Sequence, residues 1–146
     1  MIFVISLSII ASDQLTKWII AKKMLVHQSY PVIRNIFHIT LVHNRGAAFG
    51  ILKNQVPFFI FTALVTIALL YTTLKKHTRF SLPGVSLALI LGGAVGNLID
   101  RLFLGYVIDF LDFRVWPVFN IADSAITIGA LLLAYSIFKE SKPRLS

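Results

Sequence analysis

The sequence has no cysteine and only six acidic residues among 146. The first absence excludes disulfides and thiolate chemistry, and leaves any zinc with histidine and carboxylate ligands alone. The histidines, His27, His38, His43 and His77, form no H-x-x-x-H pair, and His38 and His43 fall in a segment that reads as strand. No metal and no other cofactor is therefore expected. Charge as a whole is scarce: 14% of residues are Asp, Glu, Lys or Arg, where a soluble domain carries about a quarter. With 57% hydrophobic residues and a mean hydropathy of +0.81, the chain reads as one integral membrane domain over residues 1–146.

What charge there is has one dominant sign. The net charge of +8 could suggest nucleic acid, but the cations sit in short groups beside apolar runs and not interleaved with aromatics on one face. That pattern orients a protein in a bilayer, so nucleic acid is excluded as a partner and membrane lipids are expected.

Four apolar runs are long enough to span, at about residues 2–20, 56–74, 82–99 and 121–138. The first lacks a basic leader and is followed closely by Asp13 and Lys17, so it reads as a retained span and not a cleaved signal. Asp13 and Lys17 stand one helical turn apart and can pair. The third run opens with Pro83 in its first turn and contains LGGAVG, small residues that admit a neighbouring helix. Lys75, Lys76 and Arg79 crowd the short link between runs two and three, and Lys139, Lys142 and Arg144 follow run four. Cations are sparser along residues 21–55 and 100–117. Both termini are accordingly expected in the cytoplasm, with 21–55 and 100–120 as outer segments.

This orientation gathers Asp13, Asp100, Asp109, Asp112 and Asp123 at the outer face, leaving only Glu140 on the other side. A small transporter or proton-pathway protein, the alternative reading, would distribute acids along its spans. The outer segments also carry structure. In IFHITLVHN, Phe37, Ile39 and Leu41 alternate with His38, Thr40 and Val42, which argues a half-buried strand. The strand runs into NRGAAFG, suited to close backbone approach. Residues 102–116 are apolar but broken by Asp109, Asp112 and Arg114, and are expected to lie along the interface.

Two stretches look alike: GNLIDR ends the third run and FNIADS begins the fourth, each with Asn and Asp on one helix face. A third Asp lies between them in YVIDF. Ionisable groups at membrane depth are retained for pairing or for chemistry. Pairing would assign Asp100 to Arg101 or Lys17, Asp109 to Arg114, and Asp123 to the dipole of its own helix. Chemistry would set two of these carboxylates face to face, sharing one proton, so that one activates water while the other polarises a carbonyl.

Five motifs then run in order: D-Q-x-x-K at Asp13 to Lys17, N-R-G-A-A-F-G at Asn44 to Gly50, G-N-x-x-D-R at Gly96 to Arg101, V-I-D-F at Val107 to Phe110, and F-N-I-A-D-S at Phe119 to Ser124. Together they resemble bacterial lipoprotein signal peptidase, the signal peptidase II family. The resemblance implies an aspartyl endopeptidase of the bacterial cytoplasmic (inner) membrane, acting as a monomer near the outer face. It would remove the signal peptide of a diacylglyceryl-modified prolipoprotein just before the lipidated Cys. It assigns the catalytic pair to Asp109 and Asp123. Asn97, Arg101, Asn120 and Ala122 would support that pair or bind substrate, Asn44, Gly46 and Phe49 would cradle substrate, and Asp13, Lys17 and Asp100 would support the structure. Asp100 rivals Asp109, but Arg101 beside it would hold it ionised, whereas Ile108 and Phe110 would desolvate Asp109. The expected fold is thus a membrane all-α protein of four transmembrane helices, with a small extracytoplasmic β portion and an interfacial segment between helices three and four.

Overall fold

The computed structural model describes residues 2–46, 55–75 and 81–140. Its elements run α1 (Ile2–Lys23), β1 (Ser29–Ile33), β2 (Phe37–Asn44), α2 (Val56–Leu74), α3 (Leu82–Phe103), β3 (Val107–Asp112) and α4 (Ile121–Glu140). All four helices are long and apolar enough to cross a membrane.

The helices begin and pack where the residues dictate. Ser81 caps α3 by accepting the Gly84 N–H at 3.3 Å, and Pro83 follows where no intrahelical donor is missed. α3 is the central helix and packs against α1, α2 and α4. Two glycines of LGGAVG permit this, as the small-residue run predicted. A side chain at Gly93 would collide with the Ala122 carbonyl of α4, and one at Gly96 would reach within 2.7 Å of an Asp13 carboxylate oxygen. Hydrocarbon tails are as apolar as leucine, so close packing and polar contacts hold such a bundle together. The buried face of α1 follows this logic: Ile2, Ser6, Asp13 and Lys17 point inward, and three of them are polar. Leu7, Phe61, Leu69, Leu131 and Phe138 point outward, toward lipid.

An apolar cluster of Ile2, Leu74, Leu87, Ala88 and Leu91 closes one end of the bundle. α1 begins there with Ile2, Leu133 of α4 packs against the cluster, and the sheet sits at the other end. The sheet is antiparallel throughout, in the order β1-β2-β3. β1 is an exposed edge, and the turn into β2 uses Asn35 at a φ of 62°, a left-handed conformation Asn tolerates better than most residues. β3 reaches β2 only after two helices have intervened, pairing Val42 with Asp109 and Asn44 with Val107.

The predicted strand at residues 36–44 is therefore present as β2. Residues 102–116, expected along the interface, are divided: α3 continues to Phe103, β3 takes the middle, and residues 113–118 form a loop. This loop folds back on the strand. The Phe110 and Leu111 N–H groups donate to the Phe119 carbonyl at 2.9 and 2.7 Å, and the Phe119 N–H donates to the Leu111 carbonyl at 3.1 Å. That clamp brings the start of α4 alongside β3.

Candidate active site

Asn120, fully buried, is the cap of α4: its Oδ1 accepts the Asp123 N–H at 2.8 Å. Its Nδ2 faces the other way and donates to Asp109 Oδ1 at 2.7 Å and to Asn97 Oδ1 at 3.1 Å. Asn97, on the inner face of α3, uses its own Nδ2 to donate to Asp123 Oδ1 at 2.7 Å. From β2, Asn44 Nδ2 donates to Asp109 Oδ2 at 2.9 Å, while its Oδ1 accepts the Gly46 N–H at 2.9 Å. Three asparagine amides, from β2, α3 and the α4 cap, thus hold two aspartates from β3 and α4.

Asp109 and Asp123 line one cleft of about 340 Å³ with Asn44, Gly46, Asn97 and Arg101. Phe59 and the loop residues Trp116 to Phe119 complete its wall. The setting makes Asp109 an unusual acid. Burial, and next the negative charge of Asp123, push its carboxyl up from 3.8 to about 7. The Asn44 and Asn120 amides and the Lys17 charge pull in the other direction without cancelling this.

Asp100 has no part in the cleft, despite its look-alike motif. It faces α1, where its Oδ2 lies 2.9 Å from Lys17 Nζ. Lys17 also meets Asp13 Oδ2 at 2.8 Å, so the expected pairing of Asp13 and Lys17 is present. Of the two cations suggested for Asp100, Lys17 is therefore the one that pairs with it, and Arg101 is not. The Arg101 guanidinium instead lies over the Phe59 ring, 5.2 Å from the centroid, and donates to the Asn97 carbonyl at 3.3 Å. The suggested pairing of Arg114 with Asp109 is not formed either: Arg114 bridges to Asp112 at 3.0 Å. In a strand, residues 109 and 112 point to opposite faces, and only the latter faces Arg114.

Ala122 is fully buried, and its role is through its backbone N–H, which donates to Asp13 Oδ1 at 2.9 Å. Phe49 lies outside the described residues. Gln14 was not singled out in the sequence, although D-Q-x-x-K contains it. Its Nε2 donates to Asp100 Oδ1 at 3.0 Å and to the Gly96 carbonyl at 3.1 Å. Its position one residue after Asp13 was the available signal. Among the described residues, no three His, Asp or Glu side chains converge as a metal site requires.

Many known proteins are similar to this chain in sequence. The family model described as signal peptidase (SPase) II matches residues 5–139. A lipoprotein signal peptidase of Halothermothrix orenii is 46% identical over 97% of this chain and 98% of its own length. One of Caldanaerobacter subterraneus subsp. tengcongensis is 52% identical over 95% and 97%. A solved structure of a bacterial membrane enzyme superposes with a TM-score of 0.89 at 35% identity, covering 99% of this chain and 93% of that one. With the match running almost end to end in both sequence and fold, the chain belongs to the signal peptidase II family and is a membrane peptidase.

Proposed function

We propose that this peptidase is an aspartyl endopeptidase in which Asp109 and Asp123 form the catalytic pair. The observation that carries the reading is the convergence of these two carboxylates, from separate elements, on one cleft where asparagine amides hold them and the Arg101 charge lies close enough to act on both. Two such groups share a single proton. Asp109, buried and lifted to about 7 by its surroundings, holds that proton near neutral pH. Asp123 carries the negative charge at the first turn of α4, where the helix dipole favours it.

The chemistry follows from this division. A water between the carboxylates attacks the scissile carbonyl as Asp123 removes its proton, and Asp109 donates its proton to the carbonyl oxygen. The tetrahedral intermediate collapses when the proton on Asp123 passes to the leaving nitrogen and Asp109 takes one back from the diol. Arg101, on the cleft wall, is suited to hold a substrate backbone carbonyl.

The substrate in this reading is a diacylglyceryl-modified prolipoprotein, cut just before the lipidated Cys. Support comes from the relatives named lipoprotein signal peptidase. The exposed apolar wall beside the cleft, with Trp116 and Ile128, suits a lipid-bearing segment. The protein would sit in the bacterial cytoplasmic membrane as a monomer, with both termini cytoplasmic and the sheet and cleft at the outer face. Trp18, Tyr30 and Trp116, exposed at the sheet end, fit an interfacial aromatic belt.

Reconstitution with a lipid-modified precursor tests the assignment. Wild type should release the signal peptide, and Asp109→Asn and Asp123→Asn should each lower the rate by about 10²-fold or more. Asp112→Asn, which alters a carboxylate bound to Thr40 and Arg114 away from the cleft, should stay within about twofold of wild type. Full activity in either of the first two would overturn the pair, and no cleavage by wild type would overturn the substrate.

A further inference from the structure

A buried ion cluster lies behind the cleft. Lys17 is almost fully buried and each of its three donors is used: on Asp13 Oδ2 at 2.8 Å, Asp100 Oδ2 at 2.9 Å and Asn97 Oδ1 at 3.0 Å. Such clusters are poor adhesives, because desolvating the charges offsets their attraction. α1 has a simpler means of holding α3: at Gly92 the two backbones already approach so closely that a side chain would strike Ser6. The cluster needs another explanation.

Its other hydrogen bonds supply one. Asp100 Oδ2 accepts the backbone N–H of Ile108 at 3.0 Å, the residue preceding Asp109. Asp13 Oδ1 accepts the backbone N–H of Ala122 at 2.9 Å, the residue preceding Asp123. Each carboxylate paired to Lys17 therefore tethers the main chain one residue before a cleft aspartate. Lys17 acts on the side chains as well. An ammonium can only donate, so it fixes the Asn97 oxygen toward itself and Asn120, which leaves Asn97 Nδ2 for Asp123. A flipped Asn97 would set amide hydrogens against the ammonium and an oxygen against the carboxylate.

We propose that Asp13, Lys17 and Asp100 are positioning residues that hold Asp109 and Asp123 in mutual alignment. The proposal rests on the reading of those two as the catalytic pair. Cleavage of a lipid-modified precursor by wild type, with its loss in Asp109→Asn and Asp123→Asn, checks that reading separately. The alignment itself is tested on three full-length variants, each first checked for a wild-type melting transition and monodispersity in detergent. Asp13→Ala removes the Ala122 tether and should lower kcat by about ten- to a hundredfold while KM moves by less than about twofold. Asp13→Asn keeps an acceptor for that N–H and should recover part of the loss. Asp13→Asn/Lys17→Met leaves the cluster with the same net charge but no cation to orient Asn97. It should fold and again lose kcat with little change in KM. Wild-type kcat in the folded double variant, a change confined to KM, or loss of fold in both Asp13→Ala and the double variant would each overturn the proposal.

Discussion

Asp109 should make this protein less stable as pH rises, and Asp109→Asn should abolish that slope. Burial, followed by the charge of Asp123, raises the Asp109 carboxyl from 3.8 to about 7 in the folded protein. A group raised on folding contributes stability that is complete below its ordinary value and is lost as pH climbs through its folded one. The full swing is about three pH units, or about 4 kcal/mol. Between about pH 5 and about pH 8 the loss amounts to about 3 kcal/mol.

The substitution has a second consequence that does not depend on pH. Asp109 accepts from Asn120 on one oxygen and from Asn44 on the other, whereas an asparagine offers only one oxygen. Buried Asn120 is held by the α4 cap, so it would keep that oxygen. Asn44 would have to turn its amide and release the Gly46 N–H. The variant could start above or below wild type by about 1 kcal/mol for that exchange. The slope is therefore the diagnostic quantity. Unfolding in mixed micelles, followed by the fluorescence of Trp18 and Trp116, would give the difference between variant and wild type at each pH. That difference should move by about 3 kcal/mol in favour of Asp109→Asn from about pH 5 to about pH 8. Parallel curves would refute the assignment of a buried, proton-holding Asp109.

Other consequences are simpler to test. Asn120→Ala removes the α4 cap and the amide that joins Asp109 to Asn97; unfolding should show a loss of about 1–3 kcal/mol, and precursor cleavage should slow by about tenfold or more. Gly93→Val would drive a side chain into the Ala122 carbonyl and should destabilise the α3–α4 contact by about 1–3 kcal/mol, seen as a lower melting temperature. Asp112 behaves oppositely to Asp109. Burial opposes its charge, but the Thr40 hydroxyl and the Arg114 backbone and guanidinium outweigh it and hold the carboxyl below its usual range. Its stabilising contribution is present above about pH 4 and lost as pH falls further, so Asp112→Asn should flatten the acid limb of the stability curve.

Much of this molecule is legible along the chain because the bilayer imposes a local rule. Each span must satisfy its own backbone hydrogen bonds, so α1 to α4 are announced by continuous apolar runs. β2 showed itself by alternation, with Leu41 as its one deeply buried residue. β3 did not, because residues 107–112 are buried on both sides and keep no polar rhythm; a short apolar segment with two acids then reads as interfacial. Its partner in the sheet lies more than sixty residues earlier, at Asn44 and Val42, and no local pattern encodes that pairing.

The motifs named the aspartates, but the two N-x-x-D stretches are chemically alike in sequence. The tertiary structure alone separates Asp100 from Asp123. On α3 the Asn and the Asp diverge, Asn97 reaching toward α4 and Asp100 toward α1. At the start of α4 the Asn caps its own helix and spends its amide on Asp109. The sequence by itself determined the four spans, the scarcity of acids and their gathering at one end. Which carboxylates share a cleft and which answer a lysine was decided by helix rotation and strand register, both of which are set by contacts between distant segments and not by neighbours in the chain.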